Sequence, residues 1–297
     1  PESTGDTKIP LLVLFDAHGN TVPPMEMYKT LADKYKFAMA GFEASENGVP
    51  FEQISQKFNL WFAELVDIAP VDTSMIFLAG FSGGARVASL FDNTMKHVLG
   101  VALCGAGPAN PQTWVKSETP YMAFCGSGDF NYLELMGLQS QVSKMKSLPI
   151  SVFIGKHEWP PAEIFADFFV LMNRIANGIS ENSEAENEIL ARCRAFVNAG
   201  RPDLAIYSAS GGMFALKAEN AKQLSSFADS VEKSISQEFV GQYNAVLKDE
   251  IRLQGQIREL FQNADTSKFE VFLDSLQQSQ ADSLSLRSDL VSLLKAY

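Results

Sequence analysis

Ile76-Phe77-Leu78-Ala79-Gly80-Phe81-Ser82-Gly83-Gly84-Ala85-Arg86-Val87-Ala88 is the stretch that decides the fold. Its centre is a G-x-S-x-G pattern with Gly80, Ser82 and Gly84 in the fixed places. An apolar run over 74–79 reads as a buried strand, and 85–91 reads as the start of a helix. A serine between the two sits on a sharp turn that exposes its hydroxyl at the top of a sheet. The residues two places to either side must be small, or their side chains collide across the turn. The competing reading is a glycine-rich strand–helix turn that binds a phosphate, or nothing.

A nucleophilic serine needs a histidine base and a carboxylate that orients the base. Behind an elbow of this kind they follow in the order serine, acid, histidine, on loops after later strands. The chain has three histidines, of which His18 precedes the serine and His97 lies just past the elbow helix. His157 follows the apolar run 150–154 through Gly155-Lys156, and precedes Pro160-Pro161 and a helical stretch over 162–172. Proline suits the first turn of that helix. The strand-like run 121–125 leads into Gly126-Ser127-Gly128-Asp129-Phe130-Asn131, which makes Asp129 the expected acid. Asp129 also suits the N-cap of a helix over 132–146, and His157 has a plainer reading as a surface-loop residue. Glu134 and Glu158 are the second choices for the acid. The N–H of Gly83, next after the nucleophile, is one expected donor to a developing oxyanion.

Upstream, the strand-like run 11–15 passes into Asp16-Ala17-His18-Gly19-Asn20. A His-Gly loop, the elbow, a Gly-x-x-Asp loop and a histidine after the last strand thus occur in that order. On these motifs residues 8–177 resemble the α/β-hydrolase superfamily. Within it, Gly-Phe-Ser-Gly-Gly-Ala-Arg and His-Glu-Trp-Pro-Pro are similar to small bacterial esterases of the dienelactone hydrolase and polyhydroxybutyrate depolymerase type. The resemblance implies acyl transfer to water through a serine ester. No Cys and His pattern at zinc spacing occurs, and such a triad needs no metal, so no metal and no cofactor are expected. The resemblance also implies that the Asn20 N–H is the second oxyanion donor, with Gly19 turning the backbone and His18 structural. Dienelactone hydrolases themselves use a cysteine nucleophile, so Ser82 departs from that chemistry.

Strands are expected near 9–15, 36–40, 74–79, 98–104, 120–125 and 149–154. Helices are expected near 23–34, 50–66, 83–92, 110–115, 131–147 and 161–177. This alternation predicts a mostly parallel, minimal α/β-hydrolase-type sheet of roughly six strands flanked by helices. Ligands of such sheets bind outside the carboxyl ends of the strands, where Asn20, Ser82, Asp129 and His157 all fall. Only 46 residues separate Ser82 from Asp129, and they already hold two strands, so an open pocket without an inserted lid is expected. Phe81, Phe130, Trp159 and Trp114 are candidate lining residues, each with core packing as its plainer role.

Composition shifts after Gly178: Pro202 is the last of 13 prolines, and Ala, Leu, Ser, Gln, Glu and Lys dominate. The expected division is an α/β-hydrolase domain over 1–178, with 1–7 as a leader, and an all-helical module over 179–297. Ser183 and Glu186 read as a capping box that opens a helix to about Asn198. Apolar positions at three- and four-residue spacing continue the helical pattern through 217–262. Further helices are expected from Asp265-Thr266-Ser267 and over 282–296, without a 34-residue repeat.

The net charge is −11, and no basic run occurs, which argues against nucleic acid and anionic membrane as partners. The apolar runs are strand-length, too short to span a bilayer. Cys104 and Cys125 end consecutive strands and read as buried thiols in preference to a disulfide. Starting at Pro1, the chain is expected to be a processed or truncated product. Its polar leader suits an exported or lipid-anchored protein, and equally a truncation point. Two functional classes follow: a serine hydrolase acting on a small acyl substrate, with peptidase or thioesterase as variants, or an interaction protein whose helical module binds a protein or glycan.

Overall fold

The computed structural model describes residues 8–142, 146–178 and 182–262. The leader 1–7, residues 143–145 of the helix expected over 131–147, and the helices expected from Asp265 and over 282–296 lie outside them. Strands β1 (Ile9–Asp16), β2 (Ala38–Phe42), β3 (Val71–Phe81), β4 (Val98–Cys104), β5 (Tyr121–Gly126) and β6 (Ile150–Phe153) form one sheet in the order β2-β1-β3-β4-β5-β6. Every pairing is parallel. Between them run α1 (Val22–Tyr35), α2 (Phe51–Ile68), α3 (Gly83–Asp92), α4 (Pro111–Trp114) and α5 (Tyr132–Val142). After β6 come α6 (Ala162–Asn177), α7 (Ser183–Asn198), α8 (Pro202–Leu216), a 3-10 turn (Ala218–Asn220), α9 (Lys222–Ser234) and α10 (Gln237–Gln262).

Parallel strands must be covered on both faces, and alternate residues go to alternate cores. Leu12, Leu14, Phe77, Ala79, Ala102, Cys104, Met122 and Phe124 pack with α1 and α6. Leu11, Val13, Phe15, Ile76, Leu78, Val101, Leu103, Ala123 and Cys125 pack with α2, α3 and α5. Cys104 and Cys125 therefore belong to opposite cores; both are buried free thiols. The chain leaves β1 toward β2 and returns to β3 on the other side. This switch opens a crevice at the strands' carboxyl ends, between the loops after β1 and β3.

Helices beyond Gly178 share the first of these cores. Ala185, Ile189, Leu190, Cys193, Ala205, Ala209, Leu224 and Val231 belong to the same apolar cluster as Phe165 and Phe168 of α6. Helix α8 lies so close to β6 that a Cβ at Gly211 would fall on the Ser151 hydroxyl. A buried polar node ties these elements together: Arg192 Nη2 donates to Asp167 Oδ2 at 2.7 Å, and Arg192 Nε donates to Ser208 Oγ at 2.7 Å.

Candidate active site

Strand β3 ends at Phe81, and Ser82 stands before α3 with φ 55° and ψ −119°. A positive φ is strained for a residue with a Cβ. Neighbouring backbone holds it there: Ser82 N–H donates to the Cys104 carbonyl at 2.8 Å, and Ala85 N–H donates to the Ser82 carbonyl at 3.1 Å. The flanking glycines are required by contact, since a Cβ on Gly84 would land on the Phe15 carbonyl and one on Gly80 on the Gly84 carbonyl. The elbow helix thus rests directly on β1.

Three side chains from three loops meet at this turn. Ser82 Oγ is 2.9 Å from His157 Nε2, and His157 Nδ1 is 3.0 Å from each Asp129 oxygen. The Asp129 side chain is 0% exposed and that of His157 is 15% exposed. Burial raises the Asp129 carboxyl above its ordinary range, against the opposing pull of the His157 contact and the Asn131 N–H. Asn131 N–H donates to Asp129 Oδ1 at 2.8 Å, so the acid also caps its own loop. Glu134 is held elsewhere, by Arg86 Nη2 at 2.9 Å and the Gly107 N–H at 3.0 Å. Glu158 turns back to accept the Lys156 N–H at 3.1 Å.

Phe81 and Phe130 flank the imidazole, with ring centroids 4.7 and 4.3 Å away. Trp159 lies behind Phe81 at 5.6 Å. Trp114 is core, 1% exposed and packed on Tyr121, so it drops out as a lining residue. Sequence reasoning overlooked Gly105: a Cβ there would come within 3.1 Å of Asp129 Oδ2 and 3.2 Å of His157 Cε1. A signal for it existed in the paired endings Cys104-Gly105 and Cys125-Gly126.

The loop after β1 departs from the expected arrangement. The Asn20 N–H points to Asp16 Oδ1 at 3.4 Å, and His18 N–H donates to the same oxygen at 2.8 Å. Gly19 N–H donates to the Asp16 carbonyl at 3.1 Å. The short aspartate side chain captures the turn that follows it, as Asx turns do. This takes up the amide of Asn20 and leaves Ala17 as the residue of that loop beside the elbow. Ala17 Cβ lies 3.5 Å from where a Gly83 side chain would begin. The His18 side chain is 78% exposed.

The parallel sheet, the switch point and the strand–elbow–helix turn define an α/β-hydrolase-type fold. No protein-family model and no curated protein matches the chain. Among solved structures it is similar to Est1E from Butyrivibrio proteoclasticus, at 10% identity, covering 55% of this chain and 86% of that one, with a TM-score of 0.44. It is also similar to a ferulic acid esterase (13% identity, 57% of this chain and 86% of that one, TM-score 0.45). A third likeness is to the esterase LipW from Mycobacterium marinum (14% identity, 57% and 72%, TM-score 0.41). Each spans little more than half of this chain, and the chemistry of the site stands on its own geometry. Among the described residues no helix is long and apolar enough to cross a membrane, and no cluster of three or more His, Cys, Asp or Glu could hold a metal ion.

Proposed function

We propose that the protein is a serine hydrolase that cleaves carboxylic esters of small acyl substrates through a serine acyl-enzyme. The observation that carries this reading is the unbroken chain from Ser82 Oγ to His157 Nε2 at 2.9 Å and from His157 Nδ1 to Asp129 at 3.0 Å, on a strained elbow. Ser82 Oγ attacks the ester carbonyl while His157 Nε2 takes its proton. Asp129 holds the tautomer with the proton on Nδ1 and stabilises the imidazolium. The tetrahedral oxyanion is met by the N–H of Gly83 and, in place of Asn20, that of Ala17. Collapse breaks the bond to the leaving alcohol, which departs with the proton from His157. A water molecule then gives its proton to His157 and attacks the acyl carbon, releasing the acid and restoring Ser82.

Residues 8–178 carry this chemistry in our reading, and the helices from Ser183 onward buttress it from the β6 side. Turnover of p-nitrophenyl esters of short acids tests the proposal, with Ser82→Ala as the control. Loss of a triad member leaves a residual catalysis of about 10³–10⁴ over water, so the variant should lose several orders of magnitude in kcat while staying above the uncatalysed rate. Peptide and thioester substrates in the same assay separate esterase from peptidase and thioesterase.

A further inference from the structure

The chemistry above makes no use of a buried carboxylate at the end of β1. Asp16 is 4% exposed and is surrounded by N–H donors. Its Oδ1 accepts the His18 and Asn20 amides at 2.8 and 3.4 Å, and its Oδ2 accepts the indole N–H of Trp159 at 2.8 Å. Its backbone is fixed as well: Asp16 N–H donates to Ser45 Oγ at 3.2 Å, and that hydroxyl donates to the Asp16 carbonyl at 3.0 Å.

A serine or asparagine suffices to cap a turn of this size. Only a carboxylate offers two oxygens that both accept, and here one serves the loop after β1 while the other reaches a residue 143 positions away. That residue stands two places after His157. Its ring packs at 5.6 Å on Phe81, the neighbour of Ser82, and Phe81 lies 4.7 Å from the imidazole. The Pro160 carbonyl next to it accepts the Tyr28 hydroxyl at 2.7 Å. The N–H groups of His18, Gly19 and Asn20 all turn onto Asp16, so Ala17 is the residue of the loop whose N–H does not.

We propose that Asp16 is a positioning residue that ties the oxyanion loop to the histidine loop, holding the Ala17 N–H and the His157 ring in one fixed relation to Ser82. This inference rests on the serine-hydrolase reading. An oxyanion donor counts only if it is in place before charge develops, because reorganising it during the reaction forfeits the benefit. Replacing one oxygen of Asp16 by NH2 sets a donor against either the indole N–H or the loop amides, and the tie opens at one end.

Asp16→Asn, Trp159→Phe and the double variant are compared with wild type on p-nitrophenyl acetate, with kcat normalised to the sites that a fluorophosphonate labels. Asp16→Asn should lower kcat per labelled site about 10- to 100-fold, with KM within about twofold of wild type. Trp159→Phe, which keeps an aromatic ring against Phe81, should lower kcat by a smaller factor. The double variant should be no worse than Asp16→Asn alone, since both cut the same tie. A merely structural Asp16 lowers the number of labelled sites and leaves kcat per site unchanged, and that result overturns the proposal. Independent, multiplying losses overturn it too. Should Asp16→Asn fail to fold, an unchanged kcat in Trp159→Phe is the contradicting result. A wild-type protein that neither labels nor turns over removes the hydrolase reading itself, an outcome distinct from these.

Discussion

His157 Nδ1 stands equidistant, at 3.0 Å, from the two oxygens of Asp129, a carboxylate with no solvent exposure. In the proposed mechanism this arrangement sets catalysis against stability. Burial raises the Asp129 carboxyl, so the folded protein keeps this proton to a higher pH than the unfolded chain does. Its contribution to stability is full below the unfolded carboxylate's pKa and is lost as pH rises through the folded one.

Asp129→Asn should therefore melt no lower than wild type at neutral pH, with its relative advantage shrinking as pH falls from the raised folded value to the ordinary carboxylate value. The same change should lower kcat by about 10⁴, because the imidazole loses the partner that fixes its tautomer. In the wild type, activity should fall on acidification at a pH above the ordinary carboxylate range. Thermal melts and a pH–rate profile of both proteins check the three statements.

Gly84→Ala places a methyl on the Phe15 carbonyl. Backbone cannot yield there as a flexible side chain would, so the loss of stability should reach the upper end of about 1–3 kcal/mol for overpacking. Urea unfolding reads it. The neighbouring Ala85→Gly leaves that contact alone and should cost about 1 kcal/mol through helix propensity, plus about 0.8 kcal/mol for the methyl it withdraws from the core.

Arg192→Leu removes the cation beside Asp167, whose carboxyl is 1% exposed. Breaking a buried pair from one side leaves an uncompensated charge, at a cost of about 3–5 kcal/mol. If α7 and α8 are integral to the sheet's packing, the whole chain should unfold in one transition at lower urea. A separate early transition confined to the helices would show instead that they are an independent unit.

Helix α10 grips the acid loop from outside. Gln254 Nε2 donates to the Phe130 carbonyl at 2.9 Å, and the Tyr243 and Tyr132 hydroxyls are 2.5 Å apart. Gln254→Ala should cost about 1 kcal/mol of stability. It should also lower kcat/KM severalfold, because Phe130 flanks His157. Steady-state kinetics at full folding checks this, and unchanged kinetics would leave the grip a matter of stability alone.

Much of the fold was legible because parallel strands covered on both faces read as short apolar runs, such as 11–15, 74–79 and 121–125, each closed by Gly, Asp or Ser. Ser82, Asp129 and His157 could be singled out by order and strand context, since each stands just past such a run. Spacing does not settle the role of Asn20, because which amide of the loop after β1 stays available depends on Asp16 folding its side chain onto the turn. Sequence spacing does not encode that capture. Asp16 itself and Gly105 act through contacts with residues remote in the chain. The composition shift after Gly178 reflects loss of strands, and it carries no information on whether the helices beyond it share a core with the sheet. They do, through Ala185, Ile189, Cys193 and Leu224.

Intact-mass labelling with a fluorophosphonate on wild type, Ser82→Ala and His157→Gln tests most directly whether Ser82 is an activated nucleophile. One adduct is expected on wild type, none on Ser82→Ala, and labelling slowed by orders of magnitude on His157→Gln. A folded wild-type protein that takes up no label, or one labelled equally well without Ser82, would contradict the proposed role of Ser82.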